Sequence, residues 1–386
     1  MLNSKKYGLV TIPMLKDTQN IGITCSELFV QSLLLVTLLL SIFMHASEQE
    51  MLPTVLGFFS LVVFVCTVWV YWKNLFLFDL MVPFVFFLLT LYAQLVSQEG
   101  ALNFTVALSY AFLGYSFGII ARASRFNKWI LHTFGYLALT PFLYGFLIKG
   151  IDLSLGGDFL GMNRNTIPRL LFMSSSLVFV VQYMQRQRLD FFLAALTVLF
   201  CFLSRSRAGL LISSGLCVLV LFQGYVDIPK RTWLRGHRLQ AVLLVLIVVF
   251  VLFFIGMYMF ENSRLETQGI DSNGRKEIQM NFLNELNSSR ILLGFRPAIL
   301  EGIGLHSSYL TFLAMFGVFS TLVIFCLISI GLHLGKQSIF LFGVFLLYCV
   351  YSTVESLSPF SEGDVLMSAL FIIIQKVKPS SSMKKT

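Results

Sequence analysis

The sequence predicts an all-α polytopic membrane protein with about twelve transmembrane helices and one large polar loop that carries a short amphipathic helix. Three observations carry that prediction. The chain of 386 residues is 57% hydrophobic and only 12% charged, against roughly 25% charged in soluble proteins. Apolar runs of helix length recur from one end to the other, so lipid is the solvent that can hide them. Lysines and arginines fall in alternate gaps between those runs, as they do when short cytoplasmic loops retain positive charge.

Taken in order, residues 1–27 are mixed and polar and show no cleavable signal pattern, so the first apolar helix is expected to remain as a span. Spans of roughly 14–26 residues follow near 28–46, 52–72, 75–97, 104–121, 129–149, 169–185, 191–204, 208–226 and 241–259. These nine make up a first membrane segment, 28–259. A polar loop occupies 260–307, and three further spans near 308–333, 339–356 and 365–375 complete the bundle before a tail at 376–386. Five of the six cysteines lie inside apolar runs and none pairs with another in a loop. Neither a disulfide framework nor a thiolate metal site is therefore expected.

With residue 1 in the cytoplasm, the inner gaps hold 18 of the 28 basic residues, among them Lys73, Arg122, Arg125, Lys128, Arg186, Arg188, Arg235 and Lys336. The outer gaps, with the span ends that border them, hold the other 10, together with 14 of the 19 acidic residues. This asymmetry puts both termini in the cytoplasm and the long loop outside. It also accounts for the net charge of +9 as membrane topology, so no nucleic-acid partner is expected.

Several outer polar features stand out. Seventeen helical steps from Asp190 to Arg207 rise roughly 25 Å, against a hydrocarbon core of roughly 30 Å, so Arg205 and Arg207 come at or just below its outer edge. Arginines there either line a wet cavity and meet an anion or snorkel to headgroups. In the loop, Ile278, Phe282, Leu283 and Leu286 recur at helical spacing between Asn273-Gly274 and Asn287-Ser288, which reads as an amphipathic surface helix. Arg275 and Lys276 in its first turn oppose the helix dipole and suit an anion there; a solvated surface arginine is the plainer alternative.

Gly294, Gly302 and Gly304 permit tight turns ahead of His306, at the mouth of the tenth span. An interfacial histidine of this kind serves either structure or chemistry, and it has no second His or Cys ligand at metal spacing. Arg164, between Asn163 and Asn165, either contacts a sugar or phosphate or caps the sixth span, where Pro168 suits a helix start. Asp79 and Glu355 are acids near span ends; each belongs to an internal path or to the interface.

Taken together, these residues resemble the Wzy and O-antigen ligase superfamily of bacterial membrane glycosyltransferases. The resemblance rests on Ser204-Arg205-Ser206-Arg207-Ala208-Gly209 between two spans, on Asn273-Gly274-Arg275 opening a large loop, and on Gly294 followed by His306-Ser307-Ser308-Tyr309-Leu310 and Phe316-Gly317. Ser307 replaces the family's common asparagine, and no tryptophan follows Arg275. The resemblance implies a GT-C-like helical fold in the bacterial inner membrane with its active site at the periplasmic face. It implies an inverting, metal-independent transfer without cofactor, in which a hydroxyl displaces undecaprenyl diphosphate from a lipid-linked glycan.

By the same resemblance Arg207 and Arg275 hold the diphosphate and His306 is the base or the residue that orients the acceptor. Arg205, Arg164, Asn165, Arg296 and Tyr309 are further binding candidates. The leading expectation is an O-antigen (surface polysaccharide) polymerase, for which undecaprenyl-diphosphate-linked oligosaccharide is both donor and acceptor. The alternative is the ligase that passes the glycan to lipid A-core, and a lipid-linked oligosaccharide flippase is the rival from another class. A polysaccharide chain-length regulator is a further candidate partner, beside the bilayer itself.

Overall fold

The computed structural model describes residues 23–44, 51–97, 104–123, 125–144, 165–204, 206–226, 275–285, 292, 294, 307–355, 357 and 361–375. Every regular element among them is helical. In chain order these are α1 (Cys25–Met44), α2 (Leu52–Tyr71), α3 (Met81–Ser97), α4 (Phe104–Arg122), α5 (Lys128–Leu137), α6 (Thr140–Tyr144) and α7 (Thr166–Met184). Then come α8 (Phe191–Leu203), α9 (Arg207–Val226), α10 (Arg275–Glu285), α11 (Ser308–Phe316), α12 (Ser320–Gln337), α13 (Ile339–Val354) and α14 (Gly363–Ile374). Six helical stretches among the described residues are long and apolar enough to cross a membrane, and four shorter apolar helices accompany them. The expected ninth span, the termini and most of the polar loop lie outside the described residues.

Contacts between the helices fix their relative directions. The Phe64 ring stacks on Phe112 at 4.7 Å and Gly57 faces Thr105 and Ser109, so α2 and α4 run parallel. Gly114 faces Val365 and Ser368, while Gly118 faces Ala369 and Ile372, which makes α4 and α14 parallel as well. A Cβ on Gly114 would come 2.7 Å from the Val365 carbonyl oxygen; backbones approach this closely only where small residues replace side-chain bulk. By contrast α7 and α13 are antiparallel, with Phe172 against Tyr351 and Tyr183 against Phe340. Gly215 against Leu347 and Gly343 against Leu219 make α9 and α13 antiparallel too. The bundle therefore has two ends, named below for Arg169 and Arg122.

Within the apolar interior, hydroxyl side chains return to their own helix. Thr37, Ser41, Ser60, Thr90, Ser109, Ser174 and Ser204 each donate to a carbonyl three or four residues earlier, which satisfies them without a distant partner. Outside, large apolar side chains face away from the protein: Trp69 is 82% exposed, Phe325 68% and Leu211 67%. Such a surface is stable only against lipid, and the protein is a helical membrane protein.

Asp79 corrects the expected third span. Instead of lying inside a helix that begins at 75, it closes a 3₁₀ turn, Leu77–Leu80, ahead of α3. There it accepts from the Phe76 backbone N–H at 2.7 Å. Arg122, at the end of α4, grips it with both terminal nitrogens, at 2.7 and 2.5 Å, and also donates to the Asn74 carbonyl at 2.7 Å. Its guanidinium lies over the Phe76 ring, 4.7 Å from the centroid.

Ion pairs gather at both ends, where the sequence led us to expect polar clusters mainly at one. Glu27 pairs with Arg125 at 2.7 Å, and Asp190 caps α8 while meeting His132 and Tyr136. The expected tenth span is broken as well. Gly317 takes φ +53°, a left-handed conformation natural only to glycine, and separates α11 from α12.

Arg122→Ala strands the Asp79 carboxylate in a buried site, a loss of about 3–5 kcal/mol. The expected result in detergent is a markedly lower thermal midpoint, largely recovered in the Arg122→Leu/Asp79→Leu double variant. An unchanged midpoint in the single variant contradicts the pairing.

Candidate functional site

The Arg169 end is built from the first turns of α7, α9, α11 and α14 and the last turns of α8 and α13. Pro168 occupies the first turn of α7, where its missing N–H costs nothing. Gly209, in the first turn of α9, is pressed against the Pro168 ring so closely that a Cβ would overlap it. That contact seats the Ser204–Arg207 turn directly on the start of α7. Ser204 and Ser206 are buried; Ser206 Oγ accepts from the Gly209 N–H at 3.3 Å and so caps α9. Arg207, the first residue of α9, is exposed.

Beside this turn, Arg169 Nη2 meets Glu362 Oε1 at 3.3 Å, across 193 residues of chain. Tyr110, Tyr351 and Glu355 lie within electrostatic reach of the guanidinium, and Asp364 within reach of Tyr110. Glu355, Glu362 and Asp364 are each at most 5% exposed. Ser308 ties the start of α11 to the chain beyond α13: its Oγ donates to the Glu355 carbonyl at 3.2 Å and accepts from the Leu357 N–H at 2.8 Å.

Part of the long loop is held here too. Ile278 and Phe282 of α10 pack against Leu310, Leu313 and Ala314 of α11. The helix expected from the apolar spacing thus lies on the bundle, with Leu283 left exposed. Gly294 takes φ +80°, and a Cβ on it would stand 2.6 Å from the Ala314 carbonyl oxygen. The tight turn expected at this glycine therefore serves a backbone-to-backbone approach onto α11.

Of the residues singled out by sequence, Arg207 begins α9, Arg275 begins α10 and Asn165 precedes the first turn of α7. The Tyr309 hydroxyl donates to the Cys349 carbonyl at 3.1 Å, a bond that joins α11 to α13. Arg164, Arg205, Arg296 and His306 lie outside the described residues; the sequence neighbours Asn165, Ser204, Ser206 and Ser307 are all at the Arg169 end. Sequence reasoning missed Arg169, Glu362, Tyr110 and Tyr351. An arginine directly after a proline at the start of a span was the available signal, because a charge in a membrane helix needs a stated partner.

Chemically, this end offers a cation exposed at a helix start, suited to an anion, beside the buried Arg169–Glu362 pair. Among the described residues no three His, Cys, Asp or Glu side chains are grouped to hold a metal ion. No protein-family model, curated protein or solved structure matches the chain.

Gly294→Ala forces a side chain into a left-handed position and against a carbonyl, and is expected to lower the thermal midpoint by an amount equivalent to more than about 1 kcal/mol. Gly224→Ala, with nothing within 4 Å of the new methyl, is expected to leave it unchanged or slightly raised. Equal midpoints for the two variants contradict the docking of Gly294 on α11.

Proposed function

We propose that the protein is a membrane glycosyltransferase of the polysaccharide-polymerase kind, transferring a growing undecaprenyl-diphosphate-linked glycan onto a new lipid-linked repeat unit. The observation that supports it most is the convergence at one end of the bundle. There the arginine turn, the start of α11 and the docked helix α10 meet at the end that holds the buried Arg169–Glu362 pair. The Arg122 end carries Lys73, Arg122, Arg125, Lys128, Arg186 and Lys336 at its helix termini. That bias favours a cytoplasmic Arg122 end and a periplasmic Arg169 end in a bacterial inner membrane.

In this reading Arg207 and Arg275 hold the diphosphate and take up the negative charge that develops as it leaves, work otherwise done by a metal ion. The acceptor hydroxyl oxygen attacks the anomeric carbon from the opposite face, which inverts its configuration. His306 orients the acceptor or takes its proton. Arg205, Arg164, Asn165 and Arg296 are candidates for glycan contacts.

Buried hydroxyls deep in the bundle favour a second reading, a lipid-linked oligosaccharide transporter. Ser175 and Thr197 share a hydrogen bond of 2.7 Å, and Ser116, Ser176 and Ser368 carry buried hydroxyl groups. Polar groups at mid-depth are what a translocation path requires.

One gel separates these readings. Deleting the gene is expected to leave a single repeat unit on the lipopolysaccharide core, and Arg207→Ala to reproduce that pattern while the protein still inserts. A core with no repeat unit is the pattern of a ligase or transporter. Wild-type chain lengths in the Arg207→Ala strain contradict the site.

A further inference from the structure

We infer that α10 and α11 move as one gate about Gly317, and that the opening beside it, between the start of α11 and the end of α13, admits a lipid-linked substrate from the bilayer. The inference takes its ligand from the transfer reading above and adds the route of entry.

The stretch Ser308–Gln337 holds 30 residues, roughly 45 Å of continuous helix against a hydrocarbon core of roughly 30 Å. It is broken instead of simply tilted. Gly317 is buried at φ +53° and ψ −132°, a conformation natural to glycine and to little else. Val318 and Phe319, in the turn that follows, are 42% and 49% exposed, so lipid borders the pivot on one side. A few residues that end one element and begin the next are where lid motions are absorbed.

On one side of the pivot, α11 carries α10 with it. Ile278 and Phe282 pack on Leu310, Leu313 and Ala314, and among the described residues this cluster is separate from the main core. Gly294 adds a backbone contact with the Ala314 and Met315 carbonyls. On the other side, α12 belongs to the bundle. Its Ile330 and Leu334 are part of the main core, Gly331 faces the Phe345 ring of α13, and the Gln337 side chain donates to the Ile374 carbonyl at 3.1 Å. The chain thus changes allegiance at Gly317.

A catch holds the far end of the gate. Ser308 Oγ donates to the Glu355 carbonyl and accepts from the Leu357 N–H, and the Tyr309 hydroxyl donates to the Cys349 carbonyl. All three bonds run to backbone groups at the end of α13, and each is modest in net worth, so the catch can release. Near the pivot the contact with α3 is one of rings, Tyr92 against Phe316 and Phe319 at 6.2 and 5.9 Å.

A lipid-linked glycan needs such an opening. Its polyprenyl chain stays in hydrocarbon while its diphosphate reaches Arg207, so it enters sideways through the wall of the bundle. Arg275 begins α10, so the second residue assigned to the diphosphate travels with the gate, and closure completes the site.

The test uses the full chain in nanodiscs, its native cysteines replaced by alanine, with distances between spin-labelled cysteines read by double electron–electron resonance. One pair, at Met280 and Leu346, spans α10 and α13; the control pair, at Leu322 and Leu346, spans α12 and α13; all three positions are exposed. In the Ser308→Ala/Tyr309→Phe variant the first pair is expected to show a longer distance, at about ten times or more its share in the wild type. The control pair is expected to keep its distance. Undecaprenyl diphosphate is expected to return the variant to the shorter distance, because a diphosphate held by Arg207 and Arg275 draws the gate shut. Tyr309→Phe alone decides where the double variant does not fold. A first-pair distance equal in wild type and variant, or a control pair that moves with it, overturns the gate and leaves the transfer reading standing. A longer distance that appears but ignores the probe overturns the lipid-linked ligand, and the transfer reading with it.

Discussion

Hydrocarbon offers no water to a polar group, and this constraint shapes the charges inside the bundle. The guanidinium of Arg122 meets Asp79, the Asn74 carbonyl and the Phe76 ring, while that of Arg169 meets Glu362. Each pair joins segments far apart in sequence: Arg122 links the turn before α3 to the end of α4, and Arg169 links the start of α7 to the residue preceding α14. A buried pair adds little net stability over an apolar substitute, but it penalises every arrangement in which the partners are separated. The pairs therefore act on register, holding helix ends at set heights, while small residues such as Gly114 and Gly118 supply the close packing between them.

The two ends solve this constraint differently. At the Arg122 end two of the cations meet structural partners: Arg122 pairs with Asp79, and Arg125 with Glu27. At the Arg169 end an exposed arginine begins a helix beside the buried Arg169–Glu362 pair. That exposed cation at a helix start is the main physical reason for locating the proposed chemistry at this end.

Much of the helical layout was legible in the sequence. The apolar runs near 169–185, 191–204 and 208–226 correspond to α7, α8 and α9, because proline, aspartate and the serine–arginine turn mark their starts. Gly294 was legible as a turn, and α10 as a helix from the spacing of Ile278 and Phe282. The break at Gly317 was not, since a single glycine in an apolar run carries no sign of its φ. Nor was the start of α3, where Asp79 is drawn into a turn by an arginine 43 residues later. Arg169 went unnoticed for the same reason: its partner lies 193 residues away, and local periodicity holds no record of such a distance.

The central claim is that the Arg169 end, and no other surface, receives the lipid diphosphate. Cryo-electron microscopy of the full chain in nanodiscs with undecaprenyl diphosphate tests it directly. The account predicts density for the diphosphate against Arg207 and the start of α10, with the polyprenyl chain running along the apolar outer face. Diphosphate density at the Arg122 end would contradict it.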